Sequence, residues 1–136
     1  MPDVGFTHVA LFCRNAELTA AFYAKYANMA VIHRRVDHET GHAVIWLSDG
    51  TRPFVIVFIE GDRVEPVLGP FAHLGVGCKS RAEVDRLCDL ARQEGALASE
   101  PQDWGPPVGY WALLSDPDGH RLELSYGQEV GLSAVP

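Results

Sequence analysis

The sequence has no apolar run near the roughly 20 residues needed to cross a bilayer, so a membrane-spanning helix is not expected. It has no clustered lysine or arginine. With 11 basic against 18 acidic residues, a formal charge of −7, it makes a poor partner for a phosphate backbone. Cysteine is scarce. The three present, Cys13, Cys78 and Cys88, lack the spacing of a metal knuckle. An odd count, with no basic segment leading into an apolar stretch at the N-terminus, predicts reduced thiols and a cytoplasmic protein. What is abundant is apolar residue. At 47% of 136 residues it suffices for the core of one compact domain, residues 1–136.

The chain repeats itself. Phe6-Thr7-His8 opens a strand-like run that ends at Cys13, and Phe71-Ala72-His73 opens another that ends at Cys78. The offsets 71−6, 73−8 and 78−13 each give 65. Self-similarity at a fixed period signals a duplicated structural unit. The first unit, about residues 4–60, reads strand, helix, three strands. Asn15 suits a helix N-cap, Leu18, Ala21, Phe22 and Tyr26 mark a buried stripe, and Asn28 a stop. Strands are expected over 29–36, 43–47 and 54–59, parted by Glu39-Thr40-Gly41 and Asp49-Gly50. A connector over 61–70 carries Pro66, Pro70, Gly61 and Gly69.

The second unit, about residues 71–127, repeats the order. Ser80-Arg81-Ala82-Glu83 reads as a capping box, Val84, Leu87, Cys88 and Ala91 as a helix stripe, and Gly95 as its stop. A short strand over 96–99, a Pro/Gly-rich loop over 101–109 holding Trp104, and strands over 110–114 and 120–126 follow. The tail, 128–136, has no periodic signal. The fold class is α+β: two tandem βαβββ modules forming a curved mixed sheet around a central cleft, with helices on the outer face.

Strand parity tests whether chemistry converges. His8 shares a face with Phe6 and Ala10, opposite Val9, Leu11 and Cys13. His73 shares one with Gly75 and Gly77. Glu123 shares one with Arg121 and Ser125, opposite Leu122, Leu124 and Tyr126. If the more apolar faces pack on the helices, His8, His73 and Glu123 all face the cleft. Two imidazoles and a carboxylate can hold one divalent ion and leave positions open. That set suits Fe(II), the favoured ion, although ligand identity alone also admits Mn, Ni or Zn. Against this stand plainer roles: hydrogen-bonded strand histidines, and Glu123 paired with Arg121 or Lys79. Val55, Val57 and Ile59 form an apolar wall. Trp46, Trp104 and Trp111 are candidates for an aromatic lining, which suits a small aromatic or other hydrophobic substrate bearing oxygens.

From Phe6 to Tyr126 the sequence resembles the vicinal oxygen chelate superfamily, which includes glyoxalase I, extradiol dioxygenases, fosfomycin-resistance enzymes and bleomycin-resistance proteins. The most specific points are the strand-opening His8 and His73, and the run Asp116-Pro117-Asp118-Gly119-His120-Arg121-Leu122-Glu123-Leu124. The resemblance implies that His8, His73 and Glu123 are the metal ligands and that the protein is a homodimer with a small-molecule substrate. Glyoxalase I takes a fourth, acidic or amide ligand at the position of Val57. The three-ligand set resembles extradiol dioxygenases and fosfomycin-resistance enzymes, and an extradiol-type dioxygenase is the leading expectation. A glyoxalase-like lyase or isomerase, or a metal-free antibiotic-binding protein, are the alternatives. The acid–base positions of an extradiol enzyme fall near Phe58 and Leu113, which carry no transferable proton. His33, His42, Tyr110, Tyr126 and Glu60 are the candidates to replace them.

Overall fold

The computed structural model describes residues 4–131. The chain divides between Val67 and Leu68 into two compact units. In the first, β1 (His8–Cys13) leads to α1 (Ala16–Ala27), then β2 (Ala30–Val36), β3 (Ala43–Ser48) and β4 (Val55–Glu60). Its sheet has the order β1-β4-β3-β2, with β1 parallel to β4 and the other pairs antiparallel. In the second unit, β5 (His73–Gly77) and α2 (Arg81–Gln93) precede β6 (Leu97–Asp103), β7 (Tyr110–Ser115) and β8 (Arg121–Tyr126). The order β5-β8-β7-β6 repeats the first sheet strand for strand. Both units are the expected βαβββ modules, and the class is α+β.

Local chemistry sets the helix ends. Asn15 caps α1 by accepting the Leu18 N–H at 3.1 Å, and Asn28 closes it in the left-handed conformation, φ 54°. The side chain of Asn tolerates that region better than most. Ser80 accepts the Glu83 N–H at 3.1 Å. Half of the expected capping box is therefore present. Both Glu83 carboxylate oxygens go to Arg86 instead, at 2.9 and 2.6 Å, one turn along the exposed face.

Each helix covers one face of its own sheet. On α1 the buried residues are Ala16, Thr19, Phe22, Tyr23 and Tyr26. Phe22 and Tyr26 of the expected stripe are inside, whereas Leu18 is 59% exposed and Ala21 lies at the surface. Tyr23 takes the central place because its ring packs on Phe58 of β4, with centroids 5.2 Å apart. On α2 the stripe is as expected: Val84, Leu87, Cys88 and Ala91. Beneath it lie Ala112, Leu114, Leu122 and Leu124, none with measurable exposure. Burying each leucine side chain contributes about 1.5–3 kcal/mol.

One boundary differs from expectation. Strand β6 runs on through Pro101 to Asp103, where a loop was expected from 101. A proline can sit there because β6 is the edge strand, and its register shifts twice, between Leu97 and Ser99 and between Ser99 and Gln102. Of the tail, residues 132–136 lie outside the described residues.

A candidate metal-ligand pair and its surroundings

Cross-strand register identifies what stands beside each suspected ligand. In the first sheet His8 is in register with Val55, and Ala10 with Val57. In the second His73 is in register with Arg121, and Gly75 with Glu123. Val57 is thus the positional counterpart of Glu123. The first unit has no carboxylate where a fourth ligand would stand.

The faces follow the expected parity. Ile56 and Phe58 are buried on the helix side of β4, which turns Val55, Val57 and Ile59 to the other, open face together with His8 and Ala10. Leu122 and Leu124 are buried on the helix side of β8, which turns Arg121, Glu123 and Ser125 to the open face beside His73. Placement begins with the Asp116-Pro117-Asp118-Gly119 turn. Asp116 Oδ1 accepts the N–H groups of Asp118 and His120, both at 2.9 Å, and Gly119 takes φ +91°. The buried His120 ring then accepts the Leu68 N–H at Nδ1, 2.9 Å, and the Leu68 carbonyl accepts the Arg121 N–H at 2.8 Å. The end of the connector is thereby fastened to the first turn of β8, two residues from Glu123. In the sequence His120 marks only the start of the last strand, and nothing local reveals this contact.

His73 and Glu123 meet. Imidazole Nε2 and carboxylate Oε1 are 3.7 Å apart. The other ring nitrogen, Nδ1, lies 2.6 Å from the Phe71 carbonyl. A carbonyl only accepts, so Nδ1 carries a proton and Nε2 is the ring nitrogen turned toward Glu123. At 3.7 Å the two atoms are too far apart for a direct hydrogen bond. They have the spacing of ligands that share one cation, since bonds of about 2.1 Å hold neighbouring donors roughly 3 Å or a little more apart. A proton held on Nδ1 by a backbone carbonyl is also the usual support for a metal-binding Nε2. Glu123 faces this ring and the Gln128 amide, with Nε2 of Gln128 3.2 Å from Oε2, and not Arg121 or Lys79.

His8 opens β1 of the other unit, is exposed, and has Thr7 Oγ1 3.0 Å from its Nδ1. Among the described residues no three His, Cys, Asp or Glu side chains come together as a group that could hold a metal ion.

The acid–base candidates scatter. Tyr110 lies on the helix side of β7, donates to Asp85 of α2, and carries the Arg81 guanidinium 3.9 Å above its ring. Tyr126 follows the helix-side parity of β8 and is 44% exposed. Glu60 accepts the N–H groups of Ala16, at 2.8 Å, and Ala43, at 3.3 Å, so its charge stabilises the first turn of α1. His42 sits in the turn before β3, where its N–H goes to Thr40 Oγ1 at 3.2 Å. His33 shares the open face with His8 but lies on β2, the opposite edge strand, with its ring 4.6 Å from that of Trp46. Phe58 packs under α1, and Leu113 stands in register with Glu123.

The aromatic candidates divide between the units. Trp46 is in register with Val57 on the first open face. Trp111 is in register with Gln102 and Ser125 on the second. Trp104 meets Trp111 edge-on at 5.2 Å and donates from Nε1 to Gln102 at 3.1 Å.

Comparison with known proteins agrees with this architecture. The family model described as Glyoxalase/Bleomycin resistance protein/Dioxygenase superfamily matches residues 5–124. An uncharacterized protein of Pseudomonas aeruginosa is 35% identical over 128 residues, covering 92% of this chain and 90% of that one. Among solved structures, a mutant of the fosfomycin resistance protein FosX from Listeria monocytogenes, in complex with Mn(II) and dihydroxypropylphosphonic acid, superposes with a TM-score of 0.71 at 21% identity. It covers 94% of this chain and 95% of its own. The trypanothione-dependent glyoxalase I of Leishmania major gives a TM-score of 0.71 at 19% identity, over 92% of this chain and 88% of its own. At such identities the likeness is one of fold.

Proposed function

The chain belongs to the Glyoxalase/Bleomycin resistance protein/Dioxygenase superfamily, and on that premise we propose that it is an enzyme that holds one divalent metal ion on His8, His73 and Glu123 and acts on a small substrate with two neighbouring oxygens. The observation that carries this reading is the convergence of His73 Nε2 and Glu123 Oε1, 3.7 Å apart, with the other ring nitrogen held at the Phe71 carbonyl. His8 occupies the repeat-equivalent strand opening and supplies the third donor, from the same chain or from its partner in a homodimer. When bound, such an ion supplies Lewis acidity to a substrate oxygen.

The surrounding residues favour non-redox chemistry of the glyoxalase-like or fosfomycin-resistance kind over ring cleavage. Leu113, in register with Glu123, and Phe58, packed under α1, offer no proton. Tyr110 and Glu60 are engaged on the helix side and at a helix end. Val57 in place of a fourth ligand favours the three-ligand arrangement over a glyoxalase I site. Val55, Val57 and Trp46 on one open face, and Leu113 and Trp111 on the other, would exclude water from an apolar part of the substrate. Those aromatic groups also sustain a second reading, an Fe(II) extradiol dioxygenase acting on a planar aromatic diol.

The test is elemental analysis of protein purified without oxygen, wild type beside Glu123→Ala. About one equivalent of manganese, nickel or zinc, lost in the variant, is the expected result. Iron, together with O₂ uptake on a catechol, would move the assignment to the dioxygenase. No metal, and none taken up on reconstitution, would overturn the enzyme reading in favour of a metal-free binding protein.

A further inference from the structure

Gln128 lies in a segment without sequence pattern, yet its amide is the polar group seated on the oxygen of Glu123 turned away from His73. Nε2 of Gln128 is 3.2 Å from Glu123 Oε2 and 3.4 Å from the Val108 carbonyl, within donating distance of both. An amide nitrogen has two hydrogens, so both bonds can form at once. The backbone beside it is fastened to the same loop, with the Glu129 N–H donating to the Pro107 carbonyl at 2.9 Å. Gly109 closes that loop at φ +81°, where a Cβ would lie 2.5 Å from the Tyr126 carbonyl oxygen. Loop and segment therefore lie in direct backbone contact on either side of the amide.

We propose that Gln128 is a positioning residue for the metal ligand Glu123. By occupying Oε2 it leaves Oε1 as the oxygen that faces His73 Nε2, so Glu123 acts through a single oxygen. The second bond, to Val108, ties the carboxylate to the loop that carries Trp104. This inference rests on the metal-binding reading above. Its physical basis is general: a carboxylate fixed by an outer hydrogen bond loses less rotamer freedom on meeting a metal, and loss of such a partner typically costs about 10–100-fold in affinity.

The experiment measures Mn(II) affinity, by titration with manganese chloride followed by electron paramagnetic resonance, for wild type, Gln128→Leu and Gln128→Glu. The melting temperature of each metal-free protein is measured alongside. Gln128→Leu keeps the bulk of the side chain and removes the donor. The expected result is an affinity about 10–100-fold lower in Gln128→Leu with an unchanged metal-free melting temperature, and tighter binding in Gln128→Glu than in Gln128→Leu, because the new carboxylate adds negative charge beside the cation. Wild-type affinity in Gln128→Leu would overturn the positioning role and leave the metal site standing. A weaker affinity matched by a large fall in metal-free melting temperature would also overturn it, in favour of a general structural role. Failure of the wild type to bind manganese, zinc or iron would overturn the metal reading and this inference together.

Discussion

The two units share one strand order and one register, yet they differ at the position that matters for chemistry. Opposite the second residue after its strand-opening histidine, the first unit places Val57 and the second places Glu123. The neighbours differ in step. On the open face of β1 that histidine is followed by Ala10 and Phe12, whereas on β5 it is followed by Gly75 and Gly77. A Cβ at Gly75 would come 3.6 Å from Glu123 Oε2, ordinary contact that would press an apolar group on the carboxylate. The first unit keeps its carboxylate, Glu60, for the start of a helix. One scaffold thus carries a charge at the middle of one sheet and a hydrophobic wall in the other. A conserved backbone pattern and an unlike chemistry are compatible because register is set by the ladder, while each open face is free to vary.

The comparison can be broken most sharply at the paired positions themselves. Glu123→Ala should abolish metal binding, measured by elemental analysis and manganese titration. Val57→Glu, which gives the first unit the same carboxylate, should keep the stoichiometry at one ion and tighten binding by about tenfold or more, as an added charged ligand would. A second equivalent in Val57→Glu would mean that each unit builds its own site, contrary to the proposal.

Next in size is a contrast between two glycines. Gly109→Ala sets a Cβ 2.5 Å from a backbone oxygen at φ +81°, and should cost roughly 3 kcal/mol or more in chemical denaturation. Gly41→Ala in the first unit, at φ +74° with no atom within 4 Å, should cost about 1 kcal/mol. Equal losses would mean that the contact between the Trp104 loop and the chain after β8 contributes little.

Thiol chemistry separates two cysteines of the second unit. Burial on the inner face of α2 pushes the Cys88 thiol up to about 11. Cys78 is half-buried and also raised, first by burial and then by the nearby Glu83. Under native conditions at pH 8 a disulfide reagent should modify Cys78 at least roughly tenfold faster than Cys88, which should react only on unfolding. Prompt reaction of Cys88 would show that α2 opens readily.

The smallest effect expected is on the acid side of the stability curve. Each unit has a turn carboxylate held below its ordinary range: Asp49 chiefly by the Thr51 hydroxyl, and Asp103 chiefly by the Gly105 N–H and then by Arg81. A carboxylate lowered by folding stabilises the protein above its unfolded pKa, and that contribution is lost as pH falls through the folded value. Thr51→Val should therefore make acid unfolding begin a few tenths of a pH unit higher. No change would mean that Asp49 is already free of Thr51 in solution.

Much of the scaffold was legible because local rules act over a few residues. Asn15, Asn28 and Ser80 end helices where expected, since caps depend on neighbouring N–H groups. The faces of β1, β5 and β8 followed from alternation alone. Leu18 was misplaced because a helix carries several near-equivalent stripes, and only the fit of Tyr23 on Phe58 selects among them. The extension of β6 through Pro101 was hidden because a proline ends a strand by local rules, and only its place at the sheet edge permits it. Tyr110, Tyr126 and Glu60 were held as proton carriers by residue type, a property that says nothing of which side of a sheet a group occupies or what already binds it.

The sequence by itself determined the duplication and the two βαβββ modules, and nominated His8, His73 and Glu123 as the residues proposed to share a cation, because period, parity and turn chemistry are written in neighbouring residues. Tertiary structure alone decided that His73 presents Nε2 rather than Nδ1, that Glu123 faces that ring and Gln128 instead of Arg121 or Lys79, and that His120 fastens the connector. Two of these contacts, His73 with Glu123 and His120 with Leu68, join residues 50 and 52 apart in the chain, and the local ones, His73 with Phe71 and Glu123 with Gln128, are oriented by them. Their partners are chosen by sheet register and by the packing of loops, which no local pattern records.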